Sequence, residues 1–312
     1  MVTKIAFLFP GQGSQYVGMG KEFYDASSEA RRIFKEAGEV LELDIADLCF
    51  NGPEEQLKLT ENAQPALLIH STIALNLLRG NGINAVLAAG HSLGEYSANV
   101  AAGSLRFRDA VRLVQLRGRF MQEAVPVGVG GMAAIIGMQV DDIRELCGRV
   151  SVGERLVQPA NLNSMEQTVI AGHLEAVEEV SRLARESGAK KTVMLPVSAP
   201  FHCPLMKPAE IRLQNELEQA EFLDLDFPVI RNVDAQPTTE GSQARTALVE
   251  QVCSPVRWVE TMQCLLDQGI DAVVELGSGK VLSGLMRRFN KEIKCFQVGD
   301  PDSLQRTVEA LR

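Results

Sequence analysis

The chain has 312 residues, 46% of them apolar, so it can bury a large core as one or two domains. Its net charge of −9 argues against nucleic acid and anionic membrane as partners, because both bind dense basic surfaces. No apolar segment has the length of a membrane span or a signal sequence, and the six cysteines lack metal-ligand spacing. We therefore expect a cytoplasmic protein with reduced thiols and no bound metal.

The first predicted strand, residues 4–9, runs into the glycine-rich loop Pro10-Gly11-Gln12-Gly13-Ser14-Gln15. Further apolar runs at 85–89 and 271–276 are separated by long helical stretches, which is typical of a parallel sheet covered by helices on both faces. The loop lacks the spacing of a phosphate-binding loop, but the N–H of Gln12 is a candidate oxyanion donor. A plain tight turn is the alternative interpretation of this loop.

The strand at 85–89 leads into Gly90-His91-Ser92-Leu93-Gly94, which has the Gly-x-Ser-x-Gly spacing of a nucleophile elbow, and a helix is predicted over 95–102. In such a turn the serine adopts a strained backbone conformation, and the glycines leave room for the neighbouring strand and helix. Ser92 is therefore the candidate nucleophile, and the N–H of Leu93 is a second candidate oxyanion donor. A glycine-rich surface turn without chemistry is the alternative.

A helix predicted over 109–125 carries Arg117 on its apolar face, about 40° from Leu113 when each residue advances 100°. Burial of an unpaired guanidinium is costly, so Arg117 should have an anionic partner. The partner is either a structural carboxylate of the protein or a group on a substrate. A substrate carboxylate would suit the planar guanidinium, which can hold it in bidentate fashion.

Between 129 and 198 the pattern changes to strand 132–136, helix 141–150, strands 156–161 and 167–171, helix 175–187 and strand 191–196. This β-α-β-β-α-β order is typical of a ferredoxin-like unit, and Gly or Pro residues punctuate both flanks. We predict that residues 129–198 form a domain inserted into a larger domain made of residues 1–128 and 199–312.

A serine nucleophile needs a base, and the chain has four histidines. His202 is the best candidate, because its loop follows the inserted segment, where a cleft between domains would fall. His70 lies among apolar residues of a predicted helix and is interpreted as a packed histidine, and His173 begins a helix of the inserted segment. His91 adjoins Ser92, but neighbouring side chains in extended structure point to opposite sides.

These motifs together resemble the malonyl-CoA:acyl carrier protein transacylase family. The resemblance follows the same order over essentially the whole chain and rests on the glycine-rich loop, the Ser92 elbow, Leu116-Arg117-Gly118, Gln122-Glu123-Ala124, Phe201-His202 and Gln251…Pro255-Val256-x-Trp258. It implies an α/β-hydrolase-like large domain with a parallel sheet and a ferredoxin-like insertion. It also implies a cofactor-independent, ping-pong transfer of malonyl from malonyl-CoA to the phosphopantetheine thiol of acyl carrier protein, in fatty acid synthesis.

The resemblance assigns roles to the matching residues. Ser92 would attack the thioester with His202 as general base, and the backbone carbonyl of Gln251 would orient His202. Arg117 would bind the malonyl carboxylate.

Other matching positions would shape the site around these groups. The N–H groups of Gln12 and Leu93 would form the oxyanion hole, and Asn161 and Asn163 would contact substrate. Phe201 stands where a large aromatic residue favours malonyl over methylmalonyl in related acyltransferases, so weak use of methylmalonyl-CoA is expected.

An acidic carrier protein needs a locally basic docking surface. The candidates are Lys190, Lys191, Arg287 and Arg288, although solvated helix and strand ends are an equally good interpretation of these residues. A monomer is the simplest expectation for the oligomeric state.

Three other functions fit parts of the sequence. A serine esterase or thioesterase shares the elbow and the histidine but passes the acyl group to water; Arg117 argues against it, because neutral esters gain nothing from a buried cation. The order of residues in the chain does not exclude a hydrolase triad of Ser, Asp and His. Three aspartates lie between Ser92 and His202, namely Asp109, Asp141 and Asp142. A trans-acting polyketide acyltransferase is the second alternative. A binding module that lost its activity is the third, and the presence of all three candidate residues argues against it.

Overall fold

The computed structural model describes residues 4–197 and 199–312. The strands in this part of the chain are β1 (Ile5–Phe9), β2 (Leu87–Gly90), β3 (Gly130–Ile136), β4 (Val157–Ser164), β5 (Gln167–His173), β6 (Lys191–Met194), β7 (Val229–Ile230), β8 (Pro237–Thr238), β9 (Ala272–Leu276) and β10 (Lys294–Val298).

The helices surround these strands and account for most of the remaining chain. They are α1 (Lys21–Ala26), α2 (Ser28–Leu41), α3 (Ile45–Asn51), α4 (Glu54–Lys58), α5 (Thr60–Gly80), α6 (Gly94–Ala101), α7 (Phe107–Glu123), α8 (Val140–Val150), α9 (Leu174–Glu186), α10 (Lys207–Gln219), α11 (Gly241–Glu250), α12 (Trp258–Asp267), α13 (Val281–Phe289) and α14 (Pro301–Leu311). Among the described residues, no helix combines the length and apolar character that a membrane span requires.

The larger sheet has six strands in the order β10-β9-β1-β2-β7-β8. Every neighbouring pair is parallel except β7 and β8, which are antiparallel. The predicted parallel sheet is therefore confirmed, with the exception of this edge hairpin. The short apolar runs are buried because helices cover both faces, which is the usual environment of parallel strands. In β1 and β9 this burial is nearly complete.

The second sheet is antiparallel and has the order β4-β5-β3-β6. Its strands alternate with α8 and α9 in the predicted β-α-β-β-α-β order. The first strand of the segment, β3, lies between β5 and β6 and pairs with both. This is the sheet order of a ferredoxin-like unit. The two helices cover one face through their own cluster of buried apolar residues, which includes Ile143, Val177 and Val180.

The two sheets meet along β4. Leu162 N donates a hydrogen bond to Val256 O, and Val256 N donates one to Ala160 O, so this strand is joined to the segment that precedes α12. The division into residues 1–128 with 199–312 and residues 129–198 remains a prediction, and its boundary at 198 lies outside the described residues. The segments that follow β1 and β2 line one cavity together with Met132 of β3 and Asn161 of β4.

Candidate active site

The turn after β2 has the geometry of a nucleophile elbow. Ser92 has φ 52°, in the left-handed region that costs a side-chain-bearing residue energy. A Cβ on Gly90 would lie 1.9 Å from the carbonyl carbon of Gly94, and one on Gly94 would lie 2.0 Å from Phe9 O. Both glycines are therefore required by close backbone contact, and the predicted strained serine is confirmed.

The glycine-rich loop after β1 packs directly on this elbow. A Cβ on Gly11 would lie 2.5 Å from His91 O, so the loop approaches the turn more closely than any other residue type would allow. This contact places Gln12 at the edge of the cavity above Ser92. The interpretation of the loop as a plain tight turn therefore leaves its close approach to the elbow unexplained.

His202 lies within hydrogen-bond distance of the serine. Its Nε2 is 2.7 Å from Ser92 Oγ, and its Nδ1 is 2.8 Å from the backbone carbonyl oxygen of Gln251. A carbonyl oxygen only accepts, so Nδ1 carries the proton and Nε2 is left free to accept the proton of the serine hydroxyl. His202 has φ 60°, so both members of the pair adopt left-handed backbone conformations.

Burial and the neighbouring charge keep this histidine neutral. Burial, reinforced by the positive charge of Arg117, lowers the pKa of His202 to about 3, and the hydrogen bond to Gln251 only partly opposes the shift. A neutral imidazole is the form that acts as a base. The residue is 3% exposed, and it borders the cavity beside Ser92.

Arg117 is buried on α7, as its position on the apolar face predicts. Its Nη2 lies 2.8 Å from Gln251 Oε1 and 3.1 Å from Ser92 Oγ, and its Nη1 lies 2.8 Å from Gln64 Oε1. Within residues 4–197 and 199–312 none of its hydrogen bonds goes to a carboxylate, and its Nε has no hydrogen-bond partner. Burial lowers the pKa of Arg117, while Tyr96 and Glu95 oppose the shift.

These groups border one cavity of about 510 Å³ between the two sheets. Gln12 and Leu93 line it beside Ser92, and Phe201 and Asn161 line it from the other side. Because this volume is within the usual range of small-molecule sites, the cavity can hold an acyl group together with part of its carrier.

Asn163 is placed differently from Asn161. It accepts a hydrogen bond through Oδ1 from His91 Nε2 at 2.8 Å, and it borders an adjoining cavity of about 240 Å³ that also contacts Arg288. The structure therefore brings Asn161 to the Ser92 cavity and places Asn163 on the far side of His91.

The remaining histidines lie as predicted. His70 is fully buried in α5 and bonds to Ser278 Oγ and Gly299 O. His173 immediately precedes α9. His91 points away from the Ser92 hydroxyl, toward Asn163.

Four polar residues at the site were not predicted to have a role. Gln64 bonds to Arg117, Gln158 Nε2 donates to His202 O, and Asn232 and Glu95 lie beneath the elbow. Burial raises the pKa of Glu95 to about 7, against the opposing effect of hydrogen bonds from Gln251 and Asn232. Gln64 could have been found, since it directly precedes the apolar run that begins at Pro65 in α5. Asn232 follows shortly after a two-residue strand and gives no comparable signal.

In the described ranges, no group of three or more His, Cys, Asp and Glu side chains is placed to hold a metal ion. Ser92 and His202 are placed as a candidate nucleophile and base, and Arg117 as a candidate anion site beside them. This is the arrangement of a serine-dependent acyl-transfer site with a place for an acidic acyl group.

Comparison with known proteins assigns the class. The family model described as acyl transferase domain matches residues 6–297, nearly the whole chain. The chain therefore belongs to the acyl transferase family.

Relatives at full length narrow the assignment. The malonyl CoA-acyl carrier protein transacylase of Bacillus subtilis (strain 168) is 48% identical over 311 residues, covering 100% of this chain and 98% of the relative. The transacylase of Staphylococcus aureus (strain MSSA476) is 41% identical, covering 94% of each chain. Within the acyl transferase family, the chain thus belongs with the malonyl CoA-acyl carrier protein transacylases.

Solved structures agree in fold. The malonyl CoA-acyl carrier protein transacylase of Coxiella burnetii has a TM-score of 0.97 at 41% identity, covering 100% of this chain and 98% of that one. A malonyl-transacylase solved in complex with a type II polyketide synthase acyl-carrier protein has a TM-score of 0.96 at 43% identity, with 99% and 100% coverage. These matches confirm the predicted α/β fold with a parallel sheet and a separate antiparallel sheet.

Proposed function

We propose that this enzyme transfers the malonyl group of malonyl-CoA to the phosphopantetheine thiol of acyl carrier protein through a malonyl ester of Ser92. The transfer supplies fatty acid synthesis. The observation that carries the proposal is the placement of Arg117 within 3.1 Å of the hydroxyl that His202 also contacts. One cavity thus joins a nucleophile, a base and a cation for the free carboxylate of the acyl group.

The first half of the reaction loads the enzyme. His202 Nε2 takes the proton of Ser92 Oγ, and the oxygen attacks the thioester carbonyl carbon. The tetrahedral intermediate then collapses, the carbon–sulfur bond breaks, and CoA leaves as a thiol after His202 returns the proton to its sulfur. The products are malonyl-Ser92 and free CoA.

The second half repeats these steps with a different nucleophile. His202 takes the proton of the phosphopantetheine thiol, and the sulfur attacks the carbonyl carbon of malonyl-Ser92. When the carbon–oxygen bond breaks, the proton returns to Ser92 Oγ. The hydrogen bond from Nδ1 to Gln251 O keeps the histidine in the same tautomer for both halves.

Two backbone N–H groups are proposed to stabilise the negative oxygen of each intermediate. Leu93 lies at the N-terminus of α6, and Gln12 lies in the loop that packs on the elbow. Donors fixed in this way are worth about 2.7–4 kcal/mol each in known oxyanion holes, because they need no reorganisation during the reaction.

Arg117 is proposed to bind the malonyl carboxylate. Its present partners are neutral oxygen atoms of Gln64, Gln251 and Ser92, so a carboxylate would add a stronger, charge-assisted bond. The contact with Ser92 Oγ brings the guanidinium to the reacting atom, so a bound carboxylate would lie next to the carbonyl that the serine attacks.

The carrier protein is proposed to dock near the cavity mouth through the basic residues Lys190, Lys191, Arg287 and Arg288. Arg288 borders the cavity beside Asn163, whereas Lys190 already pairs with Glu166 at 3.4 Å. We expect charge reversal of Arg287 and Arg288 to slow the second half-reaction and to leave loading by malonyl-CoA unchanged. An unchanged transfer rate would remove these two residues from the docking surface.

The absence of a cofactor, the cytoplasmic location and the monomeric state remain predictions. Activity that survives dialysis against a chelator, recovery in the cytoplasmic fraction and a light-scattering mass of one chain would support them in turn.

The decisive experiment is intact mass spectrometry after incubation with malonyl-CoA alone. We expect one malonyl adduct on the native enzyme, none on Ser92→Ala, and discharge of the adduct when carrier protein bearing phosphopantetheine is added. Release of malonate at one rate with and without the carrier would instead indicate a hydrolase. A comparison of fatty acid and polyketide carrier proteins in the discharge step would separate the two transferase pathways.

A further inference from the structure

Glu95 is a buried carboxylate beneath the nucleophile elbow and does not reach the cavity. It lies in the first turn of α6, is fully buried, and accepts two hydrogen bonds on one oxygen. Asn232 N donates to Glu95 Oε2 at 3.0 Å, and Gln251 Nε2 donates to the same oxygen at 2.7 Å. Each of these donors belongs to a residue that contacts Ser92, so the carboxylate links two supports of the nucleophile.

The first support is Asn232. Its side-chain oxygen accepts a hydrogen bond from Ser92 N at 2.7 Å, and its Nδ2 donates to Gly90 O at 2.7 Å. These two bonds bridge the elbow from the residue before the turn to the serine itself. Because Glu95 holds the backbone N–H of Asn232, it fixes the side chain that maintains the left-handed conformation of Ser92.

The second support is the side-chain amide of Gln251. Its Nε2 also donates to Ser92 O at 3.0 Å, while its Oε1 accepts from Arg117 Nη2 at 2.8 Å. An amide can point either end toward a given neighbour, but Glu95 Oε2, which also accepts from Asn232 N, can meet the amide only as an acceptor. When the carboxyl group is protonated, Oε1 has no hydrogen-bond partner and can carry the proton. Glu95 therefore directs the NH₂ group toward itself and the amide oxygen toward the guanidinium. The flipped amide would place two donors, its own NH₂ and Arg117, against each other.

We propose that Glu95 is a positioning residue for the transfer reaction. Through one oxygen it orients Asn232, which supports Ser92, and the amide of Gln251, which supports Arg117. The essential property is an acceptor that reaches both donors at once. This inference rests on the roles proposed above for Ser92 and Arg117.

Three substitutions separate reach from charge. Glu95→Gln keeps the length and an acceptor oxygen but removes the charge, and Glu95→Asp keeps the charge but withdraws the oxygen by one methylene. We expect E95Q to lose about fivefold in kcat/KM, since bonds to a neutral acceptor are weaker than bonds to a carboxylate. We expect E95D and E95A to lose about a hundredfold, the cost of misplacing a reacting group by about 1 Å.

The losses should divide between the two kinetic constants. KM for malonyl-CoA should rise through Arg117, and kcat should fall through Ser92. E95D equal to or more active than E95Q would show that charge rather than reach matters and would overturn the proposal. Native kinetics in E95A would overturn it as well.

Glu275 provides a matched control. It is also a fully buried carboxylate, and it accepts hydrogen bonds from Leu282 N, Ser283 N and Ser283 Oγ, which hold the start of α13. It contacts none of the residues assigned to the reaction. Glu275→Gln and Glu275→Asp should lower the midpoint of urea unfolding without changing kcat or KM of the folded enzyme.

A second route keeps the proposal testable if the Glu95 variants do not fold. Gln251→Met leaves Glu95 and the Gln251 backbone carbonyl in place but removes the amide between the carboxylate and Arg117. KM for malonyl-CoA should rise about tenfold or more, as for the loss of a hydrogen bond to a charged group. An unchanged KM would overturn the proposal. Failure of the native enzyme to form malonyl-Ser92 would instead refute the proposed function, so the two failures are distinguishable.

Discussion

The two sheets contribute different things to one cavity. The six-stranded sheet presents Ser92 at the end of β2, and α7, which packs on α5 and α6, presents Arg117. The four-stranded sheet presents Met132 and Asn161, and no described residue of β3–β6 that lines the cavity is titratable. The charged and reactive groups thus lie on the side of the parallel sheet, whereas the antiparallel sheet contributes uncharged side chains to the wall of the cavity. Changes on the first should lower kcat/KM strongly, and changes on the second should lower it much less.

The sharpest test of this difference is Arg117→Met, which keeps the apolar stem and removes the cation. Because Arg117 is buried and hydrogen-bonded, its loss should lower kcat/KM for malonyl-CoA roughly a hundredfold to a thousandfold. Steady-state transfer assays measure this effect.

A neutral serine reagent gives the control. Phenylmethylsulfonyl fluoride has no carboxylate, so it should still modify Ser92 in the Arg117→Met variant. The charge of Arg117 is one cause of the low pKa of His202, so its removal should raise that pKa toward 6.5. Modification should then fall at a higher pH in the variant than in the native enzyme. Identical pH profiles would contradict the electrostatic coupling.

Phe201 lies on the loop that returns from the small sheet, and it lines the cavity beside His202, the proposed general base. Replacement by Ser should open space for one methyl group and raise the ratio of methylmalonyl to malonyl transfer roughly tenfold, which is the worth of a methylene in a fitted pocket. Competition between the two CoA esters measures the ratio. Phe201→Leu, which keeps more of the bulk than serine does, should remain more selective for malonyl than Phe201→Ser; equal use of both esters by the native enzyme would contradict this role.

A smaller effect is expected for Asn161 on the wall. Asn161→Ala should raise KM for malonyl-CoA about threefold to tenfold with little change in kcat, as for the loss of one neutral hydrogen bond. Asn163→Ala is the matched comparison, since its side chain bonds to His91 outside the Ser92 cavity. A fall in kcat/KM for Asn161→Ala as large as that for Arg117→Met would break the distinction between the two sheets.

His70 should affect stability alone. Burial lowers the pKa of His70 to about 4, from 6.5 in the unfolded chain. Because the folded-state pKa is the lower one, the unfolded chain binds the proton first as pH falls. The stability contributed by neutral His70 is therefore complete above about pH 6.5 and is lost toward pH 4. Between pH 7.5 and 5 the loss amounts to about 2 kcal/mol.

Urea unfolding of the native enzyme and of His70→Gln at both pH values measures this contribution. The variant lacks the titrating group, so its free energy of unfolding should fall less between the two conditions. The buried His91 and His202 are common to both proteins and cancel in the difference. Equal losses would show that His70 does not titrate in this range, and kcat should be the same in both proteins at pH 7.5.

Local sequence signals predicted the parts of the site that lie on regular elements. The apolar runs predicted β1, β2 and β9, the spacing of Gly90, Ser92 and Gly94 predicted the elbow, and helical periodicity predicted a buried Arg117. These features depend on periodicity and on steric limits of the backbone, which act within a few residues.

The supporting network could not be predicted in the same way. Glu95, Asn232 and Gln251 meet across 156 residues of chain, and each is a common polar residue in its local context. The expected anionic partner of Arg117 is also absent from its hydrogen bonds in the described chain: two amide oxygens and a hydroxyl take that place, and the nearest support from a carboxylate passes through Gln251. Such contacts follow from tertiary packing alone.

The left-handed backbone conformations of Ser92 and His202 lower the stability of the fold, although the proposed reaction needs both side chains. Each conformation costs a residue with a side chain about 1–2 kcal/mol, a cost that glycine would not bear. In a library sorted only for survival of heating, glycine should accumulate at positions 92 and 202. In a library sorted for product, it should disappear from both. The two residues to which we assign the reaction are therefore ones that selection for heat resistance alone would tend to remove.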